Sequence, residues 1–366
     1  MRSGERALAL QPDVDLAPLT TLGIGGAARF FTAASSADDI AAAHHWAATQ
    51  GVDLFVLGGG SNLVVADRGF DGLVAHVTMR GVDVVREGGD TVVRAGAGEP
   101  WDGLVAATVE RGLAGLECLS GIPGSVGGTP VQNVGAYGQE VADTIDRVTA
   151  FDRQQGCLVT LANSDCGFAY RMSRFKREDS GRFVVCDVTF RLRPGPPTAT
   201  YPDVKLYFER HSIGAPTVAD ARRAILDIRR QKGMVIDPGD ADTRSVGSFF
   251  MNPVVTAEVH RRIAGDSANG RVPGFTLPDG NVKIPAAWLI ERAGFAKGYN
   301  SGRAGLSTKH PLAIVNRGGA TARDVLQLAV QIKKVVLGRF GIRLYPEPVF
   351  VGLAGDPDVS YLTRDA

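Results

Sequence analysis

The chain has 366 residues, and its 40 Lys and Arg stand against 39 Asp and Glu, a formal net charge of +1. That balance excludes a nucleic-acid binder or a polybasic membrane-surface protein, whose affinity rests on clustered positive charge. Hydrophobic residues at 44% with charged residues at 22% exclude wholesale disorder, and the length predicts two or three domains, each with its own core.

The opening MRSGERALALQPDVDL is polar and charged, with no apolar signal-peptide core. Ser36 with Asp39 predicts a capped helix running to about Thr49 and ended by Gly51. DLFVL (53–57) reads as a buried strand that runs into GGGSN (58–62), and short strands follow at 72–77 and 91–97. Pro100 opens a helix to about Arg111, with Trp101, Leu104, Val105 and Val109 as its apolar stripe. Residues 140–193 are strand-rich. In 183–193, Val184, Cys186, Val188, Phe190 and Leu192 alternate with Val185, Asp187, Thr189, Arg191 and Arg193, the pattern of a half-buried strand. PGPPTATYPD (194–203) reads as a boundary or exposed loop. Thr217 and Asp220 cap a helix over 218–229. Thr321 and Asp324 cap another from Ala322 to about Arg339, with Val325, Leu328, Ala329, Ile332, Val335 and Val336 on one face. The tail, GDPDVSYLTRDA, has no periodicity and is expected to fray. Together the elements predict an α+β chain.

No apolar run reaches the ~18 residues of a membrane span. Cys118, Cys157, Cys166 and Cys186 are far apart, with no CxxC and no zinc-type spacing to the six histidines, so no metal site is expected and the thiols read as reduced, in a cytosol.

Glycine is the outlier, at 46 of 366 residues against a usual share of about 7%. The excess is clustered. Gly58-Gly59-Gly60-Ser61-Asn62 follows a buried strand, where successive backbone N–H groups can converge on an anion. GIPGSVGGTPVQNVGAYG (121–138) is the second cluster. One such loop alone reads as a tight turn; two dense ones point to a diphosphate-containing ligand. A P-loop is excluded, because no GxxxxGK[ST] occurs. Gly96-Ala97-Gly98 before a helix has the opening of a dinucleotide fingerprint, but the third glycine would fall at Trp101, whose bulk rules out the close helix–strand packing that motif needs.

Three polar groups keep unusual company. Tyr170-Arg171-Met172-Ser173-Arg174-Phe175-Lys176 is either a solvated loop or an anion clamp in which Arg171 forks onto a carboxylate. Ser248, between Gly247 and two phenylalanines, is either a turn residue or a proton relay. Glu347 is held between Pro346 and Pro348, as either a solvated acid or a rigidly placed one.

The ordered set GGGSNLVV (58–65), GLECLSGIPGSVGGTPVQNVGAYGQE (115–140), YRMSRFK (170–176), GSFFMNP (247–253) and LYPEPVFVG (344–352) resembles the UDP-N-acetylenolpyruvoylglucosamine reductase family. The likeness runs from about Pro18 to about Gly352 and takes in residues 285–316. The first two motifs also resemble the wider vanillyl-alcohol-oxidase-like flavoproteins. The resemblance implies a two-subdomain FAD-binding module of that type over 1–80 and 81–210, a C-terminal α+β substrate-binding domain over 211–355, and a tail at 356–366. It implies non-covalent FAD, NADPH as hydride-donating co-substrate, a UDP-sugar substrate, and a cytoplasmic enzyme of peptidoglycan precursor synthesis. A monomer without nucleic-acid or membrane partners is expected; a flavoprotein oxidase with another substrate is the alternative. Residue by residue, Gly58, Gly59, Gly60, Ser61, Asn62 and Leu63 would carry the cofactor's pyrophosphate. Gly121, Ile122, Pro123, Gly124, Ser125, Gly127 and Gly128 would run close to it. Arg171 would polarise the substrate carboxylate, Ser248 would deliver a proton, and Glu347 would help stabilise the enol-like intermediate. Tyr170, Tyr201, Lys232 and Asn252 would bind substrate, Tyr201 over the UDP part and Lys232 at a phosphate. The stretch between Lys232 and Gly247 is longer than the family pattern, and Met251 stands where a polar or basic residue is expected.

Overall fold

In a computed structural model that describes residues 8–198, 200–265 and 272–364, Ser36 caps the helix Ala37–Gln50 by accepting from Asp39 N, and Gly51 ends it at φ +65°. This helix packs on a parallel set of strands in which Phe70–Val77 lies between Ala27–Ala34 and Asp53–Leu57. They belong to the first of two compact units, which comprises Met1–Val14, Ala28–Gly60 and Phe70–Val235. The second comprises Asp15–Ala27, Ser61–Gly69 and Ile236–Ala366.

The rest of the first unit is built on an antiparallel sheet ordered Cys157–Ala162, Ile145–Asp152, Phe183–Pro194, Asp90–Gly96, Val82–Glu87. Phe183–Pro194 is central, not half-buried as its alternation predicts: every residue from Val184 to Phe190 is buried. On its second face one Asp187 carboxylate oxygen accepts from Arg94 at 2.7 Å, while the other and the Thr189 hydroxyl are buried without a partner. Trp101, 1% exposed, packs against Phe190 at 5.9 Å between ring centroids and donates its indole N–H to Leu119 O. The bulk that rules out a dinucleotide fingerprint is thus a core element. Cys118, Cys166 and Cys186 are buried and Cys157 is exposed. Burial pushes the Cys118 and Cys166 thiols up to about 12 and Cys186 to about 11.

The segment 194–203 is only partly a loop. A helix, Pro202–Arg210, starts inside it with Tyr201 as N-cap. Val204 and Phe208, one turn apart, bury against Ala221, Ala224 and Ile225 of the helix Val218–Gln231, and Tyr207 Oη donates to Asp227 at 2.7 Å. The dense prolines before it mask that pair in the sequence.

In the second unit the helix Ala322–Phe340 carries the expected reciprocal cap of Thr321 and Asp324. Its buried face is wider than the expected one, and Val325, Leu328, Ala329, Ile332 and Val336 are buried as expected. Val335 is 39% exposed, whereas Leu326, Val330 and Lys333 are buried. Lys333 meets the tail, which does not fray. Pro357–Thr363 forms a helix capped by Asp356, Leu362 is fully buried, and the Lys333 ammonium, 2% exposed, donates to the carbonyls of Tyr361 at 3.0 Å and Leu362 at 2.8 Å. Those carbonyls are among the last of a helix, where a cation is favoured. No helix among the described residues is long and apolar enough to cross a membrane, and no group of three or more His, Cys, Asp or Glu among them could hold a metal ion.

Leu362→Ala is expected to destabilise the second unit by about 2–4 kcal/mol through the cavity it leaves. Faster amide exchange in Ala322–Phe340, with Asp90–Gly96 unchanged, is the measurement; unchanged exchange would show the tail to be loosely held.

Candidate functional site

The strand Asp53–Leu57 delivers the chain to Gly58-Gly59-Gly60. A Cβ on Gly59 would sit 2.6 Å from the Gly124 backbone and 2.7 Å from Ser125 N, and Gly59 N donates to Ser125 Oγ at 3.1 Å. The first glycine cluster therefore abuts the second, and glycine is needed there by the packing of the two loops themselves. At Gly127 the neighbour is Ala97, whose Cβ would lie 2.7 Å away, whereas a Cβ on Gly128 would meet nothing within 4 Å. Gly128 thus offers bare backbone to open space. Two glycine loops seated against one another, one with an open backbone position, fit an extended diphosphate cofactor that needs close main-chain approach.

The start of the second loop is clamped. Gly121 N donates to Asp102 Oδ1 at 2.6 Å, and Arg222 forks onto the same carboxylate at 2.6 and 2.9 Å. Burial acts to raise the Asp102 carboxyl, but the bonds from Arg222 and Gly121 outweigh it and hold the group below the usual carboxylate range. Ile122 packs on the core and Pro123 is half-buried beside it.

Arg171 stands on a two-residue turn closed by reciprocal bonds of 2.9 Å between Ala169 and Met172. Its backbone is left-handed, φ +53°, which costs an L-residue with a side chain about 1–2 kcal/mol. The guanidinium donates to Gly135 O at 2.5 Å and lies 5.2 Å from the Tyr170 ring, which is itself exposed. Tyr201 and Lys232 come together around Tyr137. The Tyr201 ring meets Tyr137 edge-on at 5.5 Å, and Lys232 Nζ lies 5.7 Å from the Tyr137 ring centre and 3.1 Å from Asp203 Oδ2. Tyr137 has a left-handed backbone, φ +50°, and burial pushes its phenol up to about 12. Motif reading passed over this residue; its place between two glycines, Gly135-Ala136-Tyr137-Gly138, was the available signal.

In the second unit, Gly247–Pro253 lies alongside Tyr345–Pro348. Glu347 N donates to Phe249 O at 2.9 Å and Met251 N to Tyr345 O at 2.9 Å. Asn62 Nδ2 donates to Glu347 O at 3.1 Å, and Val349 N donates to Asn62 O at 2.9 Å. Leu63 then enters a strand parallel to Val349–Val351, while Ser61 O accepts from Thr21 Oγ1. Both main-chain groups of Glu347 are thus held, and the half-buried Ser248 and Glu347 belong to adjacent, mutually paired strips. Asn252 Oδ1 accepts from Ala286 N at 2.9 Å, so its side-chain oxygen holds the start of the helix Ala286–Arg292. Of the three predicted catalytic residues, Arg171 belongs to the first unit and Ser248 and Glu347 to the second.

Residues 28–162 match the family described as FAD binding domain, and residues 237–351 match UDP-N-acetylenolpyruvoylglucosamine reductase, C-terminal domain. A UDP-N-acetylenolpyruvoylglucosamine reductase of Thermobifida fusca is 48% identical over 353 residues, covering 93% of this chain and 98% of that relative. The Mycobacterium tuberculosis protein of the same name is 47% identical, covering 93% and 94%. The crystal structure of the Thermus caldophilus reductase superposes with a TM-score of 0.65 at 24% identity, covering 94% of this chain and 99% of that one, and shows a shared fold.

Gly59→Ala is expected to force the two glycine loops apart, with at least a tenfold loss of FAD affinity, about 1.4 kcal/mol. Flavin absorbance retained per chain after gel filtration measures it, and full retention would remove the loop contact from cofactor binding. With 48% identity along nearly the whole of both chains, this chain belongs to the UDP-N-acetylenolpyruvoylglucosamine reductase family.

Proposed function

We propose that the chain is an NADPH-dependent flavoenzyme that reduces the enolpyruvyl ether of UDP-N-acetylenolpyruvoylglucosamine to UDP-N-acetylmuramate, a peptidoglycan precursor. The carrying observation is the 48% identity to a reductase of that name over 98% of its length. An oxidase with another substrate is not favoured, because the GSFFMNP and LYPEPV strips are both present and paired. FAD bound non-covalently, a monomer and a cytoplasmic setting complete the proposal.

When bound, FAD would supply the hydride for the terminal alkene carbon, drawn in turn from NADPH. What remains for the protein is charge and a proton. As hydride arrives, negative charge grows on the neighbouring carbon and its carboxylate. Arg171 holds that carboxylate, since its planar fork matches the two oxygens. Ser248 gives its hydroxyl proton to the carbon. Glu347, on a main chain tied on both sides, helps stabilise the enol-like intermediate by donating a hydrogen bond from its protonated carboxyl. Tyr170 contacts the substrate, Tyr201 covers the nucleotide, and Asn252 contributes a polar contact. Lys232 meets a phosphate in place of Asp203; the exchange is cheap, because an exposed ion pair contributes only about 0–1 kcal/mol. Gly58 to Leu63 and Gly121 to Gly128 hold the cofactor.

Stopped-flow absorbance separates the two half-reactions. Ser248→Ala is expected to leave flavin reduction by NADPH within about twofold and to slow reoxidation by the enolpyruvyl sugar by at least about 10²-fold, as for removal of a general acid. Equal slowing of both halves would overturn the role of Ser248, and a protein that is colourless or is not reoxidised by the enolpyruvyl sugar would overturn the function.

A further inference from the structure

We propose that Asn133 is a positioning residue for Arg171, an inference that rests on Arg171 being the group that holds the substrate carboxylate. Asn133 is fully buried and ends the short helix Gly128–Gln132 with a left-handed backbone, φ +41°. Its side chain reaches away from that helix. Nδ2 donates to Ala169 O at 2.9 Å and to Glu140 Oε2 at 2.7 Å, and Oδ1 accepts from Ala142 N at 3.3 Å.

Ala169 is the first residue of the turn that presents Arg171. The segment 131–133 grips this turn from both sides. Ser173 Oγ donates to Val131 O at 2.8 Å and Lys176 Nζ to Gln132 Oε1 at 2.8 Å, beyond Arg171 in the chain, while Asn133 holds Ala169, before it. The guanidinium itself reaches Gly135 O, two residues past Asn133, where a Cβ on Gly135 would come within 3.0 Å of Arg171 Nη1. One stretch, 131–135, therefore fixes both the backbone and the head group of Arg171.

The left-handed backbone at Arg171 makes this grip consequential. Such a conformation persists only where the surroundings over-determine it. Without the Asn133 amide, the Ala169 carbonyl and the Glu140 carboxylate lose a donor, and the turn can relax towards negative φ. That would swing the guanidinium off the carboxylate, and a displacement of about 1 Å at a positioned group can cost about 10²-fold in rate.

The plain alternative is that Asn133 is only a left-handed helix cap. Asn133→Gly separates the two readings, because glycine is at least as good in that conformation and removes only the side-chain amide. In the FAD-loaded enzyme, Asn133→Gly is expected to be reduced by NADPH at a rate within about twofold of the parent, and to be reoxidised by the enolpyruvyl sugar about 10–10²-fold more slowly. In an Arg171→Ala background it is expected to add less than about twofold, since two changes acting through one group are not additive. Asn133→Asp, which keeps the cap and the acceptor for Ala142 N but sets a carboxylate against Glu140, is expected to show the same pattern and serves if the glycine variant folds poorly. Reoxidation at the parental rate in both variants, equal slowing of both half-reactions, or an undiminished effect in the Arg171→Ala background would overturn the proposal. If Arg171→Ala alone leaves reoxidation unchanged, it is the assignment of Arg171 that fails, and the positioning role falls with it.

Discussion

A loop without regular hydrogen bonding must have its main chain tied by something else, and in this chain that task falls to buried polar side chains. Glu117, with no exposed surface, accepts from Gly115 N, Thr198 N and the Gln139 amide. Asn316 donates to the carbonyls of Leu22 and Gly23 and accepts from Gly318 N and Ala320 N, satisfying all four of its positions. The half-buried Asp102 holds Gly121, and the buried Asn133 holds Ala169, in the same way. Burying a polar group is costly unless it is partnered, and each of these side chains finds partners on the backbone of the loops. Glycine-rich segments gain rigidity in this way without becoming helix or strand.

What was legible in the sequence follows from this division. Helix ends written in local chemistry were readable: Ser36 and Gly51, Thr217 and Asp220, Thr321 and Asp324 all stand where the caps form. These signals need only three or four neighbouring residues. Burial that depends on a distant partner was not readable. Phe183–Pro194 alternates like a half-buried strand, yet it is paired on both edges, by Ile145–Asp152 and Asp90–Gly96, and its residues from Val184 to Phe190 are buried on both faces. The tail looked structureless because Leu362 and Lys333 meet only once the long helix is built.

The candidate site divides the same way. Gly59, Ser248 and Glu347 were visible as odd residues in dense motifs, and the resemblance attached roles to them. The packing reason for Gly59 was not visible, since its neighbour Gly124 is 65 positions away. Nor was the part of Asn133 visible. It reads as one more turn residue until the carbonyl it meets is known.

The thiols carry a practical consequence. Alkylating reagents attack the thiolate, and three of the four cysteines are enclosed and hard to ionise, while Cys157 lies exposed at the start of the outermost strand of the antiparallel sheet. A maleimide dye at neutral pH will therefore mark the native chain at one position, giving a fluorescent handle on the first unit with no engineering of the sequence.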